Sequence, residues 1–138
     1  MKNRFYLVFL FSFVIFISNF KAISSDQFIF DVTQLSITEN GNKFKGLDKG
    51  TVKTDNGIII NANEFEYDKI SNILKAKGNV EVIDSLKDNV IYADEIEYEK
   101  NIEKIIAKGK AKAKNKNITI YANFFKYLKI SNILNAKG

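Results

Sequence analysis

Histidine, cysteine, proline and tryptophan are all absent from this chain, and each absence excludes something. Without cysteine there is neither a disulfide framework nor a thiolate metal site. Without histidine the commonest metal ligand and the commonest general base are both missing. Ser24, Ser25, Ser36, Ser71, Ser85 and Ser131 have no partners at a spacing that would build a nucleophile, a base and a group to orient the base. Gly46-Leu47-Asp48-Lys49-Gly50 lacks the spacing of a phosphate loop. Proline removes ladder donors, so its absence fits long uninterrupted strands. Charge of one sign is also scarce. The net charge is +5, but Lys2, Arg4 and Lys21 stand in the first 24 residues without an acid, leaving 18 basic and 16 acidic side chains beyond them. That balance is too even to indicate a nucleic-acid partner. The sequence therefore predicts no enzyme, no cofactor and no metal.

What is present begins with an address. Lys2 and Arg4 precede an apolar run from Phe5 to Ile17 broken only by Ser12, and Ala22-Ile23-Ser24 offers small residues at the cleavage positions. Residues 1–24 are expected to be a signal peptide, removed near Ser24. The alternative is a retained anchor, but a spanning helix needs about 20 apolar residues. With no cysteine after the run, a lipoprotein anchor is excluded. Residues 25–138 are then one exported domain in the periplasm or beyond. Hydrophobic residues are 46% of the chain, enough for a core.

This domain repeats itself. Lys69–Gly78 reads KISNILKAKG and Lys129–Gly138 reads KISNILNAKG. Ala62, Ala93 and Ala122 are 31 and 29 residues apart, and Tyr67, Tyr98 and Tyr127 keep the same spacing, as do Ala76, Ala107 and Ala136. A weaker unit runs from Phe28 through Gly41 and Phe44 to Gly50. The array stops at Gly138 in mid-unit, as expected of a piece of a longer protein, since arrays normally end in an atypical capping unit.

Within a unit the apolar period is two. Leu74, Ala76, Gly78, Val80 and Val82 alternate with Lys75, Lys77, Asn79 and Glu81, the mark of strands with one buried face. Parity switches at Asn63-Glu64, Asp94-Glu95 and Asn123-Phe124. Both halves can face one core only if the ladder bends or bulges there. Turns are expected at Asp68–Asn72, Asp84–Asn89 and Tyr98–Asn101. No amphipathic helix is predicted. The fold class is all-β: a repeat-built structure of two facing antiparallel sheets, either a jellyroll-like sandwich or a β-solenoid.

Asp68, Asp94 and Glu95 read as solvated corner and turn residues rather than catalytic carboxylates. Lys108, Lys110, Lys112, Lys114 and Lys116 project from one strand face. They form either a solvated outer face or an attraction for anionic headgroups. The inward stripe mixes small residues (Ala76, Gly78, Ala107, Gly109, Ala111, Ala113) with large ones. Small against large either interlocks as a core or leaves an apolar channel, and the residues alone leave both open. A structural or adhesive surface solenoid without a lipid ligand is the alternative function, and an exported β-helix carbohydrate enzyme a third.

Three segments carry a resemblance: Gly57-Ile58-Ile59-Ile60-Asn61-Ala62, Phe65-Glu66-Tyr67-Asp68 and Ile73-Leu74-Lys75-Ala76-Lys77-Gly78-Asn79-Val80. They resemble the OstA-like repeat of the LptA–LptD family of lipopolysaccharide-transport proteins. Phe30-Asp31-Val32-Thr33 followed by Glu39-Asn40-Gly41-Asn42-Lys43-Phe44 is most similar to the periplasmic N-terminal domain of the LptD branch. The chain departs from that branch in lacking the large β-barrel and the cysteines that tie the domain to it in some members. The soluble bridge branch is therefore the other assignment. The resemblance covers residues 26–138 and implies a twisted, open β-jellyroll, periplasmic, or outer-membrane associated if part of a longer LptD-type chain. It implies an interior groove for the acyl chains of lipopolysaccharide (lipid A), which places lipid-binding residues at Ile58, Ile60, Ala62, Phe65, Tyr67, Leu74, Ala76, Val80, Ile91, Ala93, Ile96, Tyr98, Ile105, Ala107, Ile120 and Phe125. It also implies that neighbouring Lpt jellyrolls join by β-strand augmentation. The expected partner edge is Phe28, Ile29, Phe30, Asp31, Val32 and Thr33, a strand start with neither proline nor lysine to blunt it.

Overall fold

The computed structural model describes residues 28–138. The expected signal peptide and residues 25–27 lie outside them. Nine strands follow one another: β1 (Phe28–Thr38), β2 (Lys43–Thr54), β3 (Ile58–Ala62), β4 (Glu64–Asp68), β5 (Ile73–Asp84), β6 (Asn89–Glu99), β7 (Lys104–Lys114), β8 (Thr119–Leu128) and β9 (Ile133–Lys137). The only helical segments among the described residues are two single 3₁₀ turns, Glu39–Gly41 and Lys100–Ile102. Every pairing is antiparallel, and the strands form one sheet in chain order, with β3 and β4 end to end between β2 and β5. Antiparallel neighbours joined by short turns make a meander, not the parallel coils of a solenoid.

One continuous sheet becomes two layers because each long strand is broken at its middle. The register between β5 and β6 slips between Lys77 and Val80, that between β6 and β7 between Tyr92 and Glu95, and that between β7 and β8 between Lys108 and Ala111. In each case one strand carries an extra residue, a β-bulge, which bends the ladder and sharpens its twist. The bulges fall on Asp48-Lys49, Gly78-Asn79 and Gly109-Lys110, all at positive φ, opposite Thr33, Asn63 and Asp94. The parity-switching residue is thus a corner, and the extra residue sits on the strand beside it. Gly78 and Gly109 are at φ +80°, and an added Cβ there would come within 2.6 Å of Asn63 Nδ2 and 2.5 Å of Asp94 Oδ2. Glycine is required on both counts.

Beyond the corner the layers face each other. Phe28, in the upper half of the first strand, lies edge-on to Tyr67 (centroids 4.7 Å apart) and Tyr98 (5.8 Å) of the lower half. Between the layers one core runs the length of the molecule, from Phe28 and Val52 through Ile60, Leu74 and Ile96 to Ile105 and Phe125. Each large side chain so buried contributes roughly 1.5–3 kcal/mol. On the outer face of the lower half, opposite charges meet in register: Lys45 beside Glu66, Glu66 beside Lys75, Lys75 beside Glu97, Lys77 beside Glu95, and Glu95 beside Lys108. Such pairs contribute about 0.2–1 kcal/mol each. They also fix register, because a one-residue slip would turn the apolar set outward.

Candidate functional site

The interior is the candidate site, and its walls are made by inward side chains from eight strands, β1 to β8. Of the sixteen positions expected to meet lipid, fifteen are in the core, none more than 6% exposed. Ile120 is 40% exposed, because it lies near the open β9 end. Val52, Val82, Ala111, Ala113 and Tyr127 share the same core and were not among the expected positions. Their parity alone places them there.

The roll is closed differently on its two sides. On one side the backbone itself turns the corner. On the other, the turn between β2 and β3 meets the turn between β6 and β7, and the turn between β5 and β6 meets the turn between β8 and β9. Only side chains join them. In the first contact Asn56 Nδ2 donates to Glu103 Oε2 at 2.5 Å, Tyr98 donates its hydroxyl to the same carboxylate, and Lys100 Nζ lies 3.3 Å from Asp55 and 2.6 Å from Glu103. In the second, Tyr127 donates to Asp84 Oδ2 at 2.8 Å, Lys129 Nζ lies 3.6 Å from the same oxygen, and Asn89 Nδ2 donates to Asn132 Oδ1 at 3.0 Å. Asp84 is 1% and Lys129 7% exposed, a buried ion pair that requires both members, since removing one strands the other.

This seam repeats with the sequence. Tyr67, Tyr98 and Tyr127 each reach a residue five positions on, Asn72, Glu103 or Asn132. All three of those residues are left-handed, at φ 57°, 50° and 53°. Burial pushes the Tyr98 hydroxyl well above the usual phenol range, and its bond to Glu103 adds to this while Asn56 opposes it. Burial likewise pushes Tyr127 up to about 12, with Asn89 opposing and Asp84 adding. Both tyrosines are therefore neutral donors at any physiological pH. The Tyr-x₄-Asn/Glu spacing was visible in the sequence. The cross-seam partners, 38 to 47 residues away, were not.

Both ends of the roll are open among the described residues. β1 pairs only with β2, Phe28 opposite Thr54 through Val32 opposite Gly50. Of the six expected edge residues, Phe28 is buried, Phe30 and Val32 are half-buried on the inner face, and Ile29, Asp31 and Thr33 are exposed. Further along the strand, Leu35 and Ile37 are 45% and 53% exposed, the inner face left uncovered. At the other end β9 pairs only with β8. There a cavity of about 250 Å³ opens between the layers beside Ile91, Ile120 and Leu134.

The remaining expectations fall on the surface. Asp68 Oδ1 accepts the amides of Ile70 and Ser71 at 2.9 and 3.3 Å, a turn-forming role. Asp94 and Glu95 are exposed at a corner. In the lysine row, Lys112 lies 4.4 Å over the Tyr92 ring and Lys116 pairs with Asp88 at 3.0 Å.

No protein-family model matches the chain, and no curated protein matches it in sequence. Among solved structures it is similar to LptH of Pseudomonas aeruginosa, the LptA-homologous periplasmic component of the conserved lipopolysaccharide transport device. The TM-score is 0.68 and the identity 16%, over 83% of this chain and 87% of that one. At that identity the likeness is one of fold, and it establishes the LptA-like β-jellyroll for this chain.

Proposed function

We propose that the chain is a periplasmic component of lipopolysaccharide transport, of the OstA-like LptA–LptD family, and not an enzyme. One observation carries this reading: the jellyroll shared with LptH holds a continuous apolar interior that, among the described residues, is open at both of its ends. Acyl chains would lie among the inward side chains from Ile58 to Phe125. Each methylene leaving water contributes about 0.8 kcal/mol, so affinity needs no polar site.

The interior is filled by its own side chains, so lipid enters only where the layers part. The seam is the side that can part, because only side chains join its turns. Their neutral hydrogen bonds are worth about 0.5–1.5 kcal/mol and their charged ones about 1.5–3 kcal/mol each. The corners are continuous backbone ladder. Edge-to-edge joining through Phe28–Thr33 would continue both the ladder and the apolar face into a neighbouring jellyroll. Augmentation supplies main-chain hydrogen bonds without needing complementary side chains.

The test is depletion of the protein in its own bacterium, followed by fractionation of the two membranes. Newly made lipopolysaccharide should be held back in the inner-membrane fraction. Undiminished delivery to the outer membrane would overturn the reading.

A further inference from the structure

The large apolar side chains that the fold leaves exposed are confined to two places. Among the described residues they lie on β1, β8 and β9, or at turns on the seam side. The turns carry Ile70, Leu86, Ile102, Ile118 and Ile130, each 53 to 80% exposed. Turn geometry asks for Gly, Asn, Asp or Ser, and each of these five turns holds an Asn, Asp or Ser beside its aliphatic residue. The aliphatic side chain is therefore surplus both to the turn and to the core. Within the repeat it even changes place. Lys69-Ile70-Ser71-Asn72 becomes Lys100-Asn101-Ile102-Glu103, and Lys129-Ile130-Ser131-Asn132 restores the first order.

These tips lie along one edge. The Lys100 amide donates to the Asn72 carbonyl at 3.1 Å and the Lys129 amide to the Glu103 carbonyl at 3.0 Å, so the turns of one layer stack in a row. The turns holding Leu86 and Ile118 belong to the other layer, and side chains across the seam tie the two rows together. Strands in both layers run from the corners to this edge, so both rows project from the same side. Neighbouring tips of a row are two strands, about 9–10 Å, apart. The charges of the edge are largely matched within it: Lys100 with Asp55 and Glu103, Lys116 with Asp88, and Lys129 with Asp84.

We propose that the seam edge docks on a phospholipid bilayer, its five aliphatic tips sinking into the headgroup layer while the polar turn residues stay at the water boundary. A protein interface needs a contiguous apolar core. Separate aliphatic points set among Lys, Asn and Ser do not make one, but each can enter a fluid lipid layer by itself. Binding strength then follows the apolar area buried, and the matched charges leave little for anionic lipid to attract. The contact goes beyond the transport reading, and only its consequence rests on that reading. The side of the roll that can part would face the lipid, so an acyl chain would pass between bilayer and interior without crossing water.

The chain has no cysteine, so single cysteines can carry an environment-sensitive fluorophore without a background label. The label is placed on the full chain at Ile70, Leu86 or Ile130, and at the exposed corner residues Glu95 or Lys108 as controls. Phosphatidylcholine vesicles free of lipopolysaccharide are then added, with and without phosphatidylglycerol. The three tip labels should shift to the blue and be quenched by brominated lipid, and the corner labels should do neither. High salt, which screens surface charge, should leave the tip signal unchanged. With the label at Ile70, adding Ile102→Ser or Ile130→Ser should raise the lipid concentration at half-shift about fivefold each, as for an aliphatic side chain that leaves water only in part. Both positions are exposed, so urea unfolding should be unaltered. No shift at the tips, or equal shifts at tips and corners, overturns the proposal. So does a shift that needs phosphatidylglycerol and vanishes in salt, which would assign the contact to the lysine row. Silent tips in a protein whose depletion still holds back lipopolysaccharide overturn docking and leave the transport reading in place. Responsive tips with undiminished delivery uphold docking and count against transport.

Discussion

Gly109 shows how one residue decides the shape of the roll. At φ +80° any side chain is strained, and here a Cβ would also strike Asp94 at the corner. Gly109→Ala should destabilise the fold by about 1–3 kcal/mol, read from urea unfolding. Gly41, at φ +84° but with nothing near its missing Cβ, should cost less when changed to Ala. Equal losses at both would mean that the corner is not tight. Tyr127 makes a second prediction at this scale. Its hydroxyl is pushed from the ordinary value of 10 up to about 12 by burial, with Asp84 adding to the shift. The folded state therefore holds the proton more tightly than the unfolded chain. That stability is complete below pH 10 and is lost as pH rises through about 12. Unfolding free energy should be flat across neutral pH and fall above pH 10. Tyr127→Phe should flatten that fall, at the expense of the bond to Asp84. An unchanged slope in the variant would remove Tyr127 as its source.

Among the described elements, β1 and β9 each have a free side, and β1 is the expected partner edge. In an antiparallel strand, residues of one parity point both backbone groups to the same neighbour. Proline placed in turn at Ile29, Phe30, Asp31 and Val32 should therefore alternate in effect. At one parity it removes a donor to β2 and destabilises the domain by about 1 kcal/mol or more. At the other it removes a donor on the free side, leaving the domain folded but weakening its joining to a partner jellyroll. Paired measurements of melting and partner binding check this, and uniform effects at all four positions would place the joint elsewhere. The elements themselves were legible in the sequence because period two survives every corner. Leu74 through Val82 keep one parity, while Ile91-Ala93 and Ile96-Tyr98 switch. The position of the bulge was not legible in full. A switch at Asp94 says that the ladder must bend, but only pairing shows that the extra residue is borne by Gly109-Lys110 across from it.

At the scale of the molecule, the repeat predicted two facing layers, and one folded sheet supplies them. The seam escaped the sequence because its contacts join turns one and a half units apart, and nothing local marks Asp84 or Lys129 as buried. Asp84 in particular sits in a turn pattern that reads as solvated, and only closure of the roll brings Tyr127 and Lys129 onto it. The placement of lipid between the layers rests on the parity of residues such as Phe65 and Ile96. The most direct test is a photo-crosslinking amino acid installed singly in cells at Phe65 and Ile96, which face inward, and at Lys75 and Lys110, which face outward. The inward positions should capture lipopolysaccharide and the outward ones should not. Equal capture at both sets, or capture only from the outward face, would contradict the account.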